Sequence, residues 1–285
     1  MIENKEPLVS IVIPFYNFKD WLIEAVQSVL NQTYTNYEII IVNDGSNIEI
    51  EDIKLLSDKI EIINQNNKGA AGARNTGMKC SRGQYIAFLD SDDFWHPEKI
   101  DRQLKFMMLN EYKWSHHAFE LVDKYSKSMN KLIQPKNHGF VLKDLFVSFK
   151  GQTSTFMLET KIIRENNIEF PLDFKYGQDI EFFKKIAMKY PLGYLDKNLS
   201  SFRIRGNNAG YSAKVQLLSK ANVWNIIKGD ITIKNQLNNH IIWSYKCCNN
   251  IYKLLKKLNL HNSELVCKIS YLIPYMILRY ERRNI

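Results

Sequence analysis

Short apolar runs alternate with a segment of helical periodicity in the first part of the chain. The runs are too short for helices and are bounded by polar residues, Gly or Pro, so they predict strands buried on both faces. Apolar residues recur at helical spacing in Trp21–Leu30, between the first two runs. This alternation predicts an α/β fold with right-handed crossovers and a parallel sheet. The predicted strands are Leu8–Ile13, which should stop at Pro14, Glu38–Val42, Ile60–Ile63 and Gln84–Leu89.

Each predicted strand is followed by small or polar residues. These segments are Tyr16-Asn17, Asp44-Gly45, Gly69 to Arg74 and Asp90 to Asp93. A turn or a tight helix start explains any one of them. Because the carboxyl ends of parallel strands meet at one edge of a sheet, the four together favour a nucleotide-type site.

Three acids, Asp90, Asp92 and Asp93, end the fourth run. Carboxylates this close repel one another unless a cation lies among them, and hard oxygen ligands suit Mg²⁺ or Mn²⁺. They therefore indicate a divalent metal that holds a phosphate. The alternative is that Asp92 or Asp93 caps a helix beginning near Pro97.

The glycine-rich stretch Asn66–Gly77 excludes two common nucleotide-binding classes. Its spacing is neither the dinucleotide fingerprint nor a Walker loop, so a Rossmann dehydrogenase or a P-loop kinase is not supported. Small residues here let the chain approach a ligand, and the following helix offers amide groups to a phosphate. The same residues also suit close packing at a helix start.

The second half of the chain is less informative. Trp114–Val122 predicts a strand and hairpin, in which His116 and His117 point to opposite faces and are better explained as structural than as lining an acceptor site. Residues 212–285 predict helices. Cys267–Leu278, followed by Arg279, is too short to span a bilayer, which takes about 20 apolar residues. It predicts a helix packed on the protein or one lying on an anionic membrane surface.

Composition sets broad limits. The 285 residues are 45% hydrophobic and 24% charged, as in a globular protein, and the formal net charge is +9. That charge favours an anionic partner or merely a solvated basic surface, and no nucleic-acid-binding motif accompanies it, so nucleic acid is not an expected partner. The N-terminus lacks the apolar core of a signal peptide. The four cysteines have neither zinc-type nor redox-type spacing, which predicts reduced thiols in a cytoplasmic protein. Peripheral contact with the inner face of the cell membrane is a further expectation.

Four sequence motifs stand at the predicted strand ends: Ser10–Asn17, Val42–Ser46, Gly72–Asn75 and Phe88–Asp93. In this order and spacing they closely resemble the family 2 glycosyltransferases with a GT-A fold. The resemblance runs from about Leu8 to Pro97 and extends more weakly to about Arg205. It implies an α/β fold with a mostly parallel central sheet flanked by helices and a helical C-terminal extension.

The resemblance also implies that different regions of the chain bind donor and acceptor. Residues 1–110 would form the nucleotide-sugar-binding half of the GT-A domain, 111–211 its acceptor-binding half, and 212–285 the helical extension. The implied reaction is transfer with inversion from a nucleotide diphosphate sugar, usually a UDP-sugar, to a glycan or lipid-linked acceptor. The resemblance also makes a bacterial surface polysaccharide such as lipopolysaccharide or capsule the expected product. The oligomeric state is not predicted.

Residue roles follow from the resemblance position by position. Asp44 would bond the nucleobase, Pro14 and Tyr16 would line its pocket, Arg74 would lie beside the nucleotide, Asp90 would meet the ribose, and Asp92 would bind Mn²⁺ or Mg²⁺. A metal offsets the charge that builds on the departing diphosphate. Asp179, at the start of a predicted helix, would be the general base, although the helix dipole alone also favours an acid there.

Two departures from the family pattern affect these roles. Gln178 replaces an acid that often precedes the base, which makes the acceptor less predictable. Arg205 stands where some relatives have a metal-binding histidine. The metal would then keep more waters, or Arg203 and Arg205 would bind the diphosphate, or both arginines would lie on a solvated strand edge. Residues 206–210 predict a loop that closes over the donor.

Two other classes compete with the transferase hypothesis. A noncatalytic relative, or a module that binds polyanions or membranes, would show affinity without turnover, but retention of the four acids Asp44, Asp90, Asp92 and Asp179 argues against a decayed site. A nucleotidyltransferase would have a glycine-rich basic loop after the first strand, and Phe15–Phe18 is not one.

Overall fold

The computed structural model describes residues 6–206, 208 and 212–283, with side chains up to residue 280. The chain divides into two compact units. The sheet unit comprises residues 6–140, 150–172 and 189–204. The helical unit comprises residues 141–149, 173–188 and the described residues after 204.

A nine-stranded sheet forms the centre of the sheet unit, counted over the described residues. Its strands are β1 Val9–Phe15, β2 Tyr37–Asp44, β3 Ile60–Gln65, β4 Tyr85–Phe88, β5 Phe94–Trp95, β6 Trp114–Val122, β7 Ser128–Ile133, β8 Met157–Glu159 and β9 Leu192–Arg203. Their order is β3-β2-β1-β4-β8-β6-β9-β5, and β7 pairs with β6. The first four strands are mutually parallel, whereas β8 is antiparallel to both β4 and β6. The predicted α/β fold is confirmed, with a sheet that becomes mixed beyond β4.

Helices are found in both units. The sheet unit contains α1 Lys19–Leu30, α2 Gly69–Cys80, α3 Lys99–Leu109 and α5 Thr160–Glu165, with 3-10 helices at Glu51–Leu56 and Thr153–Thr155. The helical unit contains α4 Leu142–Val147, α6 Gln178–Ala187, α7 Ala213–Gly229, α8 Ile231–Gln236, α9 Asn239–Lys257 and α10 Glu264–Arg283. The prediction that residues after 212 are helical is confirmed.

Strand β1 does not stop at Pro14, as the sequence predicted, but continues to Phe15. The Val12 carbonyl accepts a hydrogen bond from Leu89 N on the β4 side at 3.1 Å. Pro14, two residues on, faces the same side, but β4 has already ended at Phe88, opposite Val12. The missing N–H of Pro14 therefore removes no ladder hydrogen bond.

Helix α2 packs directly against the sheet. A Cβ atom added to Gly77 would lie 2.3 Å from Cγ1 of Val12 in β1, so only glycine allows this approach. Gly69 already belongs to the helix, which makes the small residues of Asn66–Gly77 mainly a close-packed helix rather than a free loop.

The paired histidines on β6 are core residues. His116 and His117 are both completely buried. The His116 ring stacks on Phe156 at 5.4 Å between centroids, and its Nε2 lies 2.8 Å from the Asn137 carbonyl. Burial lowers the pKa of His116 to about 4. The structure therefore supports the structural explanation that the sequence favoured.

The helical unit has a core of its own, which includes Leu217, Cys248, Leu255, Cys267 and Tyr271. Burial raises the pKa of the Cys248 thiol to about 12, so this cysteine behaves as a core residue. Among the described helices, none combines the length and apolar character needed to cross a membrane.

Lys99, at the start of α3, is an unusual member of the sheet-unit core. Its side chain is completely buried, and its Nζ has no hydrogen-bond partner among the described residues. Nζ lies 3.7 Å from the centroid of the Trp95 ring. A cation–π contact contributes about 2 kcal/mol when desolvated, whereas burying a charge costs several kcal/mol. Burial accordingly lowers the pKa of Lys99 well below its usual value.

Lys99→Met should stabilise the protein at neutral pH. Lysine in the unfolded chain has a pKa of about 10.4, so folding releases a proton from Lys99 and is penalised below that pH. We expect the variant to gain on the order of 1–3 kcal/mol in the free energy of unfolding at pH 7. Between the folded-state and unfolded-state pKa values of Lys99, this gain should decrease by up to ~1.4 kcal/mol for each pH unit. The gain should therefore be smaller at about pH 9.5 than at pH 7. Urea unfolding at both pH values measures it.

The matched control is Lys105→Met on the same helix, where the lysine is exposed and pairs with Asp101. That variant should change the free energy of unfolding by less than about 0.5 kcal/mol at either pH. An equal gain for Lys99→Met at both pH values would contradict proton release by Lys99.

Candidate functional site

The carboxyl ends of β1, β2 and β4 lie next to one another at one edge of the sheet. Pro14 is buried near the end of β1 and is in register with Val42 of β2. Tyr16 follows the strand and is 49% exposed. An exposed ring directly after a buried strand can contact a planar ligand, as the predicted role of Tyr16 requires.

Asp44 is the last residue of β2 and is almost completely buried. Its Oδ1 accepts hydrogen bonds from Gln65 Nε2 at 2.7 Å and from the Lys68 backbone N at 2.8 Å. Lys68 immediately precedes α2, so the carboxylate also faces the positive end of that helix dipole. These contacts fix the orientation of Asp44, and the described residues donate no hydrogen bond to its Oδ2.

Arg74 and Asp90 form an ion pair between α2 and the end of β4. Arg74 Nη2 lies 2.5 Å from Asp90 Oδ1, with exposed side-chain fractions of 8% and 28%. The guanidinium also lies 5.5 Å from the centroid of Phe170. Its Nε is buried and has no partner among the described residues, so the guanidinium is only partly used by Asp90. Arg74 and Asp90, to which the resemblance gave separate roles, are thus direct ion-pair partners.

The turn Asp90–Asp93 is held by Ser154 of a 3-10 helix. The Ser154 hydroxyl accepts from Asp90 N at 3.1 Å and donates to Asp93 Oδ2 at 2.6 Å. Asp93 is 1% exposed, and burial together with the charges of Asp92 and Asp90 raises its pKa well above the usual value. Asp93 therefore supports the turn from inside.

The alternative that Asp92 or Asp93 caps a helix is wrong. Helix α3 begins at Lys99, and no side chain caps it within the described residues. Ser154 was missed because the stretch around it predicts only the approach to a short strand. No sequence signal links it to the acids.

Arg203 is the second support of this turn. Its backbone N donates to Asp93 Oδ1 at 3.0 Å, and its Nε donates to the Asp92 carbonyl at 2.8 Å. Its Nη2 pairs with Glu24 of α1 at 2.5 Å, and the guanidinium lies 5.2 Å from the centroid of Trp21. Arg203 is 1% exposed. Neither of its predicted positions, on a diphosphate or on a solvated strand edge, is therefore correct.

Asp90 and Asp92 are both partly exposed, whereas Asp93 is buried behind the turn. Across the described residues, no three His, Cys, Asp or Glu side chains come together as a metal cage. Mg²⁺ and Mn²⁺ in phosphate sites commonly use one or two carboxylates and take their other ligands from phosphate oxygens and water. The pair Asp90 and Asp92 fits that kind of site and does not fit a metal held by protein alone.

Asp179 belongs to the helical unit. It is exposed and is the second residue of α6, whose N-terminal cap Gly177 has φ of +83°. A Cβ at Gly177 would lie 3.1 Å from Ser219 Oγ, so α6 starts close against α7. Arg205 also belongs to this unit, and its backbone N donates to Asn208 Oδ1 at 2.6 Å. Residues 207, 209 and 210 of the predicted closing loop lie outside the described residues.

A cavity of about 340 Å³ opens at the ends of β2 and β3 and is lined in part by Asn43, Ser46 and Asn64. A larger cavity of about 870 Å³ lies near Leu8 and Arg82, where β1 begins. Ligands of parallel sheets bind at the carboxyl ends of the strands. The smaller cavity is therefore the one that adjoins the candidate site.

The mixed sheet with flanking helices and the acids at the carboxyl ends of its parallel strands are those of a GT-A type glycosyltransferase scaffold. Residues 10–164, just over half of the chain, match the model of glycosyl transferase family 2. The chain belongs to this family, which confirms the assignment made from the four motifs.

Relatives with related sequences are bacterial. An uncharacterized glycosyltransferase of Rickettsia bellii is 36% identical over 210 residues, which cover 73% of this chain and 30% of the relative. The chain thus spans about a third of that relative. The UDP-Glc:alpha-D-GlcNAc-diphosphoundecaprenol beta-1,3-glucosyltransferase WfaP of Escherichia coli is 39% identical over 168 residues, covering 58% of this chain and 64% of WfaP.

Solved structures confirm the fold. The structure of S. aureus TarS 1-349 in complex with UDP has a TM-score of 0.63 and 15% identity, and the match covers 97% of this chain and 92% of that chain. At this identity the likeness shows a shared GT-A type fold.

Arg203→Lys should destabilise the protein by about 2–4 kcal/mol. Lysine keeps the charge, but one ammonium group cannot bond Asp92, Ser126 and Glu24 together as the guanidinium does, and the cost of a buried, poorly paired charge is high. Urea unfolding monitored by circular dichroism measures the change. Arg102→Lys, at an exposed site paired with Glu98, is the control and should change stability by less than about 0.5 kcal/mol. Equal unfolding midpoints for the two variants would contradict the supporting role.

Proposed function

We propose that this protein is an inverting glycosyltransferase that moves a sugar from a nucleotide diphosphate donor, most simply a UDP-sugar, to a hydroxyl group of a glycan or lipid-linked acceptor. The observation that carries the proposal is the gathering of Asp44, Asp90, Asp92 and Arg74 at one edge of the sheet. A base, a ribose and a diphosphate require such a mixture of acceptors and cations within a short distance.

Binding of the donor would follow the order of the strands. Asp44, already oriented by Gln65 and Lys68, would accept a hydrogen bond from an N–H of the base, and Tyr16 and Pro14 would lie beside the ring. Asp90, held by Arg74, would accept from a ribose hydroxyl. A uracil base offers an N–H donor of the kind a carboxylate recognises.

Asp92 would hold Mg²⁺ or Mn²⁺ through a carboxylate oxygen, with Asp90 nearby. When bound, the metal would supply positive charge to the diphosphate as it departs. Asp92 itself is positioned by its backbone, because Arg203 Nε bonds its carbonyl and Ser154 fixes the turn on either side.

Asp179 is the proposed general base. It would take the proton of the acceptor hydroxyl while that oxygen attacks the anomeric carbon from the side opposite the diphosphate, which inverts the configuration. Its exposed position in the first turn of α6 lets an acceptor approach it.

The acceptor and the pathway rest on the relatives. WfaP is named for UDP-Glc and for an acceptor on diphosphoundecaprenol, and TarS was solved with UDP. These names support a UDP-sugar donor and a lipid-linked acceptor. A relative from Bacillus subtilis named as a putative teichuronic acid biosynthesis glycosyltransferase supports a role in bacterial surface polysaccharide synthesis. An enzyme with such an acceptor would work in the cytoplasm at the inner face of the membrane. The assignment of residues 1–110, 111–211 and 212–285 to donor, acceptor and extension remains part of the proposal.

Thermal shift with a panel of nucleotide sugars tests the donor site. A ligand that binds only the folded protein raises the melting temperature, so we expect a UDP-sugar to raise it more in Mn²⁺ than in chelator. Asp92→Asn should abolish the Mn²⁺-dependent part and the transfer of radiolabelled sugar to membrane lipid extract. Asp58→Asn, at an exposed acid of the sheet unit, should change neither.

Two results would contradict the proposal. No shift with any nucleotide sugar would remove the donor site. A shift without hydrolysis or transfer across the same panel and a set of lipid-linked acceptors would favour a noncatalytic relative.

Asp179→Asn should lower the turnover rate by on the order of 10²-fold or more, because an amide cannot accept the acceptor's proton. The dissociation constant of the donor, measured by calorimetry, should change less than about twofold. Asp173→Asn, an exposed acid of the same unit, is the control for charge alone. A donor dissociation constant that rises in parallel with the loss of turnover would place Asp179 in donor binding instead.

A further inference from the structure

Helix α10 packs on the helical unit through only one of its faces. Cys267, Tyr271, Pro274 and Leu278 are buried and recur every three or four residues. Cys267 and Tyr271 join the core formed with Leu217, Cys248 and Leu255 of α7 and α9. This face satisfies the sequence prediction of a helix packed on the protein.

The opposite face of α10 is also apolar. A helix that packs on one side is expected to carry polar residues on the other. Here six apolar residues at helical spacing are exposed, each by more than half of its surface. They form the outer α10 face: Leu265 67%, Ile269 67%, Leu272 53%, Ile273 59%, Met276 53% and Tyr280 67%. Contiguous apolar surface of this kind marks a contact with another molecule or with a membrane.

The charge of the chain is concentrated in the same region. Residues 212–285 contain twelve Lys and Arg residues and three Asp and Glu residues, whereas residues 1–211 contain 27 of each kind. The whole formal net charge of +9 therefore belongs to the segment that ends in α10. Lys268 and Arg279 are exposed on α10 itself, along one border of the outer face.

We propose that the outer α10 face docks on an anionic lipid bilayer. An apolar stripe bordered by cations matches a surface that is apolar inside and negatively charged outside. A second copy of the chain fits less well, because pairing the faces would bring together two segments that each carry +9. The helix lies in the plane of the membrane interface. Its apolar side chains enter the acyl chains, and the charged ends of the Lys268 and Arg279 side chains lie at the lipid phosphates.

The tyrosines of α10 divide between its two faces. Tyr271 is buried in the helical-unit core. Tyr280 is 67% exposed on the outer face, and Tyr275 is 38% exposed. The helix both packs and docks, so the two explanations left open by the sequence apply to different faces. This inference does not depend on the transferase reaction.

Sedimentation with vesicles tests the proposal on the full chain. We expect binding to phosphatidylglycerol-containing vesicles, weaker binding to pure phosphatidylcholine, and a decrease with added salt. Ile269→Glu with Met276→Glu should lower the partition coefficient on anionic vesicles at least about tenfold. Lys268→Glu with Arg279→Glu should lower it on anionic vesicles and leave binding to phosphatidylcholine unchanged.

The matched control is Leu55→Glu with Leu109→Glu, which adds the same charge at apolar positions of the sheet unit that are 88% and 84% exposed. This control should bind vesicles with less than about threefold change, and all variants should keep the wild-type melting temperature. Three results would overturn the proposal: no binding of the wild type, equal loss in the control, or wild-type binding by Ile269→Glu with Met276→Glu. Gel filtration adds a fourth, since a dimer lost only in that variant, with vesicle binding unchanged, would make the face a self-association surface.

Discussion

The buried guanidinium of Arg203 is the contact on which the candidate site depends. A charge at 1% exposure is tolerated only when it is paired and hydrogen-bonded, and Arg203 meets this requirement with Glu24 on one side and the Asp92–Asp93 backbone on the other. The ion pair joins helix α1 to the last strand β9, and the hydrogen bonds of Arg203 add the turn after β4. Loss of Glu24 would take the ion pair away from this buried guanidinium. This network thus helps to hold Asp92 and Asp93 in place.

A second constraint brings the nucleotide side of the site into place. Helix α2 can lie against β1 only because Gly77 leaves room for Val12, and this approach sets the position of Arg74 on the same helix. Arg74 then forms its ion pair with Asp90, just after the end of β4. Asp44 reaches Lys68 immediately before the same helix. One close helix–strand contact thus links the ends of β2 and β4.

Much of this arrangement could be predicted from local sequence. The apolar runs gave β1 to β4, and the parallel-sheet rule placed Asp44 and Asp90 at one edge, because both inferences need only short-range patterns. The extension of β1 through Pro14 was missed because it depends on where β4 ends. Ser154 and Glu24 were missed because their partners lie far away in sequence, and the two faces of α10 are distinguishable only once Tyr271 is found in the core.

The buried amine of Lys99 provides a site whose chemical labelling reports local opening of the sheet unit. Burial lowers the pKa of the Lys99 amine well below its usual value, which favours the nucleophilic form, but the completely buried side chain cannot meet an acylating reagent in the native state. Its modification therefore requires a local opening of the structure around Lys99, and the rate of labelling measures how often that opening occurs. Surface lysines such as Lys105 would label at once and provide the internal standard.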